Sequence, residues 1–190
     1  MMSAPPPMPE AAGRSCGGCT VCCIVPGIDT REIQKITGAV CRHLGDGGCI
    51  IYETRPRACR DFYCAWIEGR MDEGWRPDLC GVLAQAIVLD GRPGMSLMLI
   101  ADAVRTVRQD WFIAYVRDAV RAGMPLVLAL PGPQGTRSAK LRLDTPEMAR
   151  AAAGTPEQVR QLLRKAVKTL AGAGFEPLPL LNMGNDVSLR

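Results

Sequence analysis

The clearest alternation of apolar and polar residues lies beyond about residue 75. Two strand-like runs, at 82–89 and 95–100, flank the sequence Asp-Gly-Arg-Pro-Gly at 90–94, which is typical of a turn. Because two strands joined by such a turn pair with each other, these residues predict a β-hairpin.

Helical spacing replaces this alternation after the hairpin. Between residues 103 and 122 apolar residues recur every three or four positions, and Gly123 provides a stop. These residues are Val104, Val107, Trp111, Tyr115 and Ala119. Two strands are predicted at 126–130 and 138–143, and the sequence Thr-Pro-Glu-Gln at 155–158 caps a second amphipathic helix. The predicted order of elements is ββαββα.

Two shorter helices are predicted in the first part of the chain. Asp29 is a candidate N-cap for a helix over residues 28–38, and Glu32 completes a capping box. Gly38 is expected to end this helix. A second helix is expected to begin at Thr54, with a proline in its first turn.

The composition favours a globular protein. Hydrophobic residues make up 47% of the chain, and the longest aliphatic runs are too short to cross a bilayer. Residues 1–14 lack an apolar signal segment and include the prolines Pro5, Pro6, Pro7 and Pro9. We therefore expect a flexible tail, a cytoplasmic location and no membrane partner.

Cysteine is the most unevenly distributed residue. Of nine cysteines, eight lie within 49 residues, and Cys80 stands apart. The eight are Cys16, Cys19, Cys22, Cys23, Cys41, Cys49, Cys59 and Cys64. Because cytosolic thiols are kept reduced, such a cluster is typical of metal ligands or redox groups rather than of disulfides.

The first four cysteines have the spacing Cys-x2-Cys-x2-Cys-Cys. Two intervening residues let a tight turn direct both sulfurs at one metal ion, whereas the adjacent Cys22 and Cys23 are expected to serve different partners. Four thiolates from so short a segment would crowd one tetrahedral ion. Ligands from the later cysteines are therefore needed.

The charge pattern changes once these thiols are counted. The chain has 23 Lys and Arg against 19 Asp and Glu, and the resulting +4 suggests an acidic partner such as nucleic acid. Eight thiolates and two divalent ions would bring this formal charge to zero. The basic residues are also spread along the chain with few aromatic residues among them, so nucleic acid is not the expected partner.

Three arginines interleave with the last cysteines: Arg55, Arg57 and Arg60. Positive charge beside a thiolate lowers the pKa of the thiol and offsets the surplus negative charge of a four-thiolate site. The alternative is that these arginines form a solvated helix face.

The segment from Cys16 to Cys64 resembles a known family. After the Cys-x2-Cys-x2-Cys-Cys sequence come Cys-x2-Leu and Cys-Ile-Ile-Tyr-Glu-x-Arg-Pro-x-x-Cys-Arg-x-Phe-x-Cys. This arrangement is similar to the YkgJ-type cysteine cluster family, the CxxCxxCC zinc- or iron-chelating domain. The resemblance covers about a quarter of the chain and implies a metal or iron–sulfur centre held by the eight cysteines.

The resemblance does not extend to an enzymatic activity. A similar module accompanies methyl transfer to flagellin lysines in some larger proteins, but this chain has no glycine-rich methyl-donor fingerprint. It also has no paired carboxylates or Ser/His/Asp arrangement that would indicate hydrolysis. Nothing in the sequence identifies a protein partner.

These observations predict an α+β fold in which an irregular, Cys-rich, metal-stapled N-terminal module precedes a C-terminal ββαββα unit. The predicted segments are a flexible tail at 1–14, the CxxCxxCC metal-binding module at 15–75, the α+β unit at 76–174 and an irregular tail at 175–190.

Three functions remain open at this stage. The first is a metal-binding protein with zinc or iron on eight cysteines, in two four-thiolate sites or one binuclear centre. The second is an iron–sulfur protein with an electron-transfer or redox role, although Cys23 follows Cys22 where the bacterial ferredoxin sequence has three residues. The third is a redox enzyme with an exchanging dithiol, which the absence of a thioredoxin-like context disfavours.

Two further residues carry expectations of their own. His43, the only histidine, is either an additional ligand or a polar loop residue near the cluster. Cys80 begins an apolar run and is expected to be a small buried residue rather than a ligand.

Overall fold

The structure, a computed structural model, describes residues 13–178. Within this range the strands are β1 (Ile28–Asp29), β2 (Gln34–Lys35), β3 (Leu44–Gly45), β4 (Gly48–Cys49), β5 (Val82–Leu89), β6 (Arg92–Leu99), β7 (Leu126–Leu130) and β8 (Ala139–Arg142). The helices are α1 (Val21–Ile24), α2 (Arg57–Arg60), α3 (Pro77–Cys80), α4 (Ala103–Thr106), α5 (Asp110–Arg121), α6 (Pro146–Ala153) and α7 (Pro156–Ala171). The fold is mixed α and β, as predicted.

A four-stranded sheet in the order β5-β6-β7-β8 forms the centre of the molecule. β5 and β6 are the predicted antiparallel hairpin, β7 runs parallel to β6, and β8 pairs antiparallel with β7. Asp90 and Gly91 join β5 to β6 with φ angles of 51° and 73°, which suit a type I′ turn. The turn is shorter than predicted because Pro93 and Gly94 belong to β6.

The three longer helices, α5, α6 and α7, form the main core with one face of this sheet. Phe112 and Leu163 of the helices and Leu97 and Leu128 of the strands are completely buried there. Thr155 forms the predicted capping box at the start of α7, so the helix begins where its sequence signal lies. Helix α6, which was not predicted, begins with a similar Thr-Pro sequence.

The opposite face of β5 meets the cysteine-rich segment. Side chains alternate along a strand, so Leu83 and Gln85 point away from the face that carries Ala84. Leu83 and Gln85 line the two cavities into which the cysteines project. The N–H of Ala65 donates to the carbonyl of Ala84 (2.8 Å), and the main core includes Ala65, Met71 and Trp75. The two predicted units therefore share a core across residue 75.

The helix predicted over residues 28–38 is wrong, because β1 and β2 pair there as a short hairpin. The backbone N–H and the hydroxyl of Thr30 both donate to the carbonyl of Ile33 (3.1 Å each). Glu32 does not complete a capping box, since its carboxylate accepts from the N–H of Arg57 (2.6 Å) at the start of α2. Local side-chain and backbone bonds thus replace the helical ladder.

The helix expected from Thr54 is divided. A 3₁₀ turn at Tyr52–Thr54 precedes the single turn of α2, and Arg55 between them is extended, with ψ of 150°. Pro56 explains the division, because a residue before proline avoids the helical conformation.

The helix predicted over 103–122 is also divided, into α4 and α5. Asp102 caps α4 by accepting from the N–H of Arg105 (2.9 Å), and residues 107–109 separate the two helices. The separation changes which side chains face the core. Trp111 is 39% exposed, whereas the adjacent Phe112 is buried.

Parts of the predicted tails are ordered. Arg14 donates from Nη1 to the carbonyls of Trp66 (2.8 Å) and Met71 (2.6 Å), and Pro177 forms a β-bridge with Thr136. Residues 1–12 and 179–190, which make up the rest of both tails, lie outside the described residues. Within residues 13–178, no helix has the length and apolar character needed to cross a membrane.

The substitution Leu128→Ala is expected to lower the free energy of unfolding by about 2–5 kcal/mol, because it leaves a cavity in the main core. Val88→Ala is the matched control, since Val88 in the same sheet is 74% exposed, and its effect should stay near about 0.5 kcal/mol. Urea unfolding followed by circular dichroism measures both. Equal losses for the two variants would contradict this core.

Candidate metal centre

A tight turn and a single helical turn position the first four cysteines. The N–H of Cys19 donates to the carbonyl of Cys16 (2.9 Å) across Gly17, whose φ of 51° favours glycine. Cys22 and Cys23 follow in α1. Because successive residues in a helix point about 100° apart, the two side chains face different neighbours.

The later cysteines are fixed by separate backbone contacts. The N–H of Cys41 donates to the carbonyl of Cys23 (2.8 Å), which joins two distant parts of the cluster. Cys49 lies in β4 opposite β3, and Cys59 lies in α2. Cys64 directly precedes Ala65, whose N–H is hydrogen-bonded to the carbonyl of Ala84 in β5. Each of these ligand candidates thus depends on a different short element.

Seven of the eight cysteines line one cavity of about 440 Å³, called here the thiol cavity: Cys16, Cys19, Cys22, Cys23, Cys41, Cys49 and Cys59. Cys64 lines an adjoining side cavity of about 150 Å³, together with Cys16, Cys19 and Cys22. All nine cysteines of the chain are free thiols. The fold therefore brings together the eight cysteines that the sequence singles out.

The two cavities divide these thiols into two groups. Four thiols line the side cavity, where the charge of Cys16 acts on Cys22 and Cys64, although Cys22 is affected most by the adjacent Cys23. We call Cys16, Cys19, Cys22 and Cys64 the first thiol group. Cys59 is affected by Cys41, Cys23 and Cys49, and these four form the second thiol group.

The adjacent pair joins the two groups. The Cys22 thiol is hydrogen-bonded to Cys23, which raises the pKa of Cys22 and lowers the pKa of Cys23 to about 6. Burial opposes the change at Cys23, and the charges of Lys35 and Arg55 favour it. The hydrogen bond therefore favours ionisation of Cys23, with the proton kept on Cys22.

Burial has the opposite effect on other thiols. It raises the pKa of Cys64 and of Cys59, and the neighbouring thiols add to both shifts. Burial also raises the pKa of Cys19, whose thiol is hydrogen-bonded to the Asp78 carboxylate. Without a cation, Cys19, Cys59 and Cys64 thus resist ionisation.

Lys35 is a buried cation in the wall of the thiol cavity, and the sequence analysis missed it. It is 5% exposed, and its Nζ donates to the carbonyls of Ile24 (3.0 Å) and Ala39 (2.9 Å). Burial lowers the pKa of Lys35, and the negative charges of Cys41 and Cys23 oppose this shift. Nothing in the sequence around a two-residue strand distinguishes this lysine from an exposed one.

The three arginines divide between the two expected roles. Arg55 lines both cavities and stacks on the ring of Tyr52, 3.8 Å from its centroid. Its Nε is buried and has no hydrogen-bond partner among residues 13–178. Arg57 and Arg60 are exposed on α2, as a solvated face requires, and Arg57 pairs with Asp61 (3.0 Å).

His43 and Cys80 have different positions relative to the cluster. His43 lines the thiol cavity, where its Nε2 accepts from Nε of Arg42 (3.1 Å). Cys80 is only partly buried, packs against the main core and contacts the backbone of Val82 through its sulfur (3.4 Å). Cys80 therefore packs against the core, as predicted, but it is only partly buried, whereas the sequence predicts a buried residue.

The thiols share cavities without forming a closed coordination shell. Among residues 13–178, no three Cys, His, Asp or Glu side chains converge closely enough to hold a metal ion. The donor set itself suits a thiophilic ion, since thiolates are the usual ligands of zinc and of iron–sulfur centres. The buried Nε of Arg55 has no hydrogen-bond acceptor among residues 13–178, and a metal-bound thiolate would provide one. Binding would require the short elements to draw the sulfurs inward.

The chain matches no family model, no curated protein and no solved structure.

In the metal-free protein, alkylation of Cys23 by iodoacetamide is expected to rise with pH around a midpoint near 6, because only the thiolate reacts. Cys64, whose pKa is raised, should react only at alkaline pH. Cys22→Ala removes the hydrogen-bond donor and should move the Cys23 midpoint upward. Peptide mass spectrometry after timed labelling gives each rate, and an unchanged midpoint in Cys22→Ala would contradict the hydrogen bond between Cys22 and Cys23.

Proposed function

We propose that this protein binds zinc or iron through eight cysteines, arranged as two four-thiolate positions that correspond to the first and second thiol groups. One observation carries the proposal. Cysteines from three separate segments, around residues 16–23, 41–49 and 59–64, surround two adjoining cavities. In a disulfide-bonded scaffold these sulfurs would be paired, and an incidental cluster would not need thiols from three separate segments around the same cavities.

The weak core of the module supports a structural role for the metal. Between residues 13 and 64, the only buried apolar side chains are Val21 and Ile33. The strands there are two residues long and the α-helices four. Such a segment cannot offset its loss of conformational entropy by apolar burial alone, whereas a structural zinc site contributes about 10 kcal/mol or more.

The division into two positions follows from the adjacent cysteines. Cys22 lines the side cavity together with Cys64, whereas Cys23 lines only the thiol cavity, where the charge of Lys35 acts on it. One metal at each group would satisfy both sulfurs without forcing adjacent residues onto one tetrahedral ion. We place this function in the cytoplasm, where free thiols are maintained.

Replacing any one of the eight cysteines by serine is expected to lower the bound metal, because a hydroxyl is a poor ligand for a thiophilic ion. Cys80→Ser is the matched control and should retain full metal, since Cys80 lies outside both thiol groups. Elemental analysis of each purified variant gives metal per chain. Full metal in Cys49→Ser or Cys64→Ser would contradict the eight-ligand proposal.

The same preparations test the iron–sulfur alternative. Protein purified without oxygen that is brown and releases sulfide in acid would replace the proposal with an iron–sulfur centre. Colourless protein that holds zinc supports the four-thiolate positions.

Metal removal is expected to destabilise the cysteine-rich segment and spare the sheet. Amides at Cys41 and Cys49 should lose protection from hydrogen exchange after chelation, because metal bonds would tie their segments together. Amides of β6 and β7 should stay protected by the main core. Exchange measured by mass spectrometry separates the two regions, and loss of protection throughout would contradict a local structural role.

A further inference from the structure

The two thiol groups differ in the charges beside them. Beside the second thiol group is the buried Lys35, which lines the thiol cavity but not the side cavity, and whose charge acts on Cys41, Cys23, Cys22 and Cys59. Arg55 also acts on Cys23 and Cys59. Arg55 lines both cavities, so Lys35, held in place by two backbone carbonyls, is the cation that distinguishes this group.

A carboxylate lies beside the first thiol group instead. Asp78 accepts a hydrogen bond from the Cys19 thiol. Arg76 donates to both oxygens of this carboxylate (2.7 Å each), so the ion pair as a whole is neutral while its negative end faces Cys19. Arg14 lines the side cavity, but its Nη1 is engaged by two carbonyls and its guanidinium stacks on Trp66.

Each of these charges either strengthens or weakens metal binding. The product of metal binding, a divalent ion held by four thiolates, has a formal charge of −2. A nearby cation stabilises the product, and a nearby carboxylate destabilises it. The effect is strongest for Lys35 because burial removes solvent screening.

We infer that the two metal positions are unequal: the second thiol group, beside Lys35, retains its metal, and the first thiol group, beside Asp78, exchanges it. The inference rests on the proposed function. It assigns the structural role to one position and leaves the other as the place where metal enters and leaves the protein.

Zinc-loaded protein exposed to increasing EDTA tests the inference directly. Zinc retained per chain should fall in two steps, with one ion released well before the other. Alkylation at alkaline pH after each step identifies the released position, since Cys19 and Cys64 react only slowly near neutral pH. Cys16, Cys19 and Cys64 should become labelled while Cys41, Cys49 and Cys59 stay protected. This part of the test uses the unmodified chain and does not depend on a variant folding.

Two charge variants test the cause. Lys35→Met should weaken zinc binding at the second thiol group by about 10- to 100-fold, the usual effect of removing a residue that supports metal ligands. Lys140→Met is the matched control, since Lys140 is exposed on β8. Asp78→Asn should delay the first release step by leaving Arg76 unpaired, whereas the exposed Asp118→Asn should not.

The outcomes separate this inference from the proposed function. A chain that binds fewer than two zinc ions at saturation contradicts the proposed two positions. A chain that binds two ions but releases them together, or exposes the second thiol group first, contradicts only the inequality. Two-step release that Lys35→Met and Asp78→Asn leave unchanged overturns the electrostatic cause.

Discussion

Repulsion between thiolates is the constraint on which the rest of this structure depends. Partly buried thiols around adjoining cavities cannot all ionise unless a positive charge lies nearby. The chain meets part of this requirement itself, through the proton that Cys22 keeps in its hydrogen bond to Cys23 and through the buried ammonium of Lys35. Under the proposed function, a bound cation would meet the remainder and would also draw the sulfurs closer together.

The sheet and its helices supply the rigidity that the cysteine-rich segment lacks. Leu83 and Gln85 of β5 form part of the cavity walls, and Ala65 ties the end of the cysteine-rich segment to the same strand. The helices α5, α6 and α7 bury the other face and carry no part of the thiol cavity. This division explains how a chain with an irregular first third can still hold its ligand candidates in one place.

The sequence correctly predicts those elements in which the apolar face of the local pattern is the face that the fold buries. The strands β5 to β8 and the helix α7 follow from alternation, turn chemistry and a capping box, since the buried face is the one that the pattern marks. The helix expected over 28–38 is replaced by the β1–β2 hairpin, and Glu32, its expected capping residue, instead accepts from the N–H of Arg57, 25 residues away, a contact that no local signal reveals.

The same limit applies to the site. Spacing identifies the eight cysteines because ligands for one centre recur at short, regular intervals. Lys35 and Asp78 could not be identified in this way, since one is buried by the packing of a short hairpin and the other reaches Cys19 from a helix beyond the last cysteine of the cluster. The bond between Ala65 and Ala84 has a further consequence for synthesis. The cysteines leave the ribosome before the sheet that supports them has been synthesised, so their segment can dock on β5 only after that strand exists. Under the proposed function, metal capture would follow this docking, and a cell short of metal would accumulate chains with a finished sheet and an open cluster.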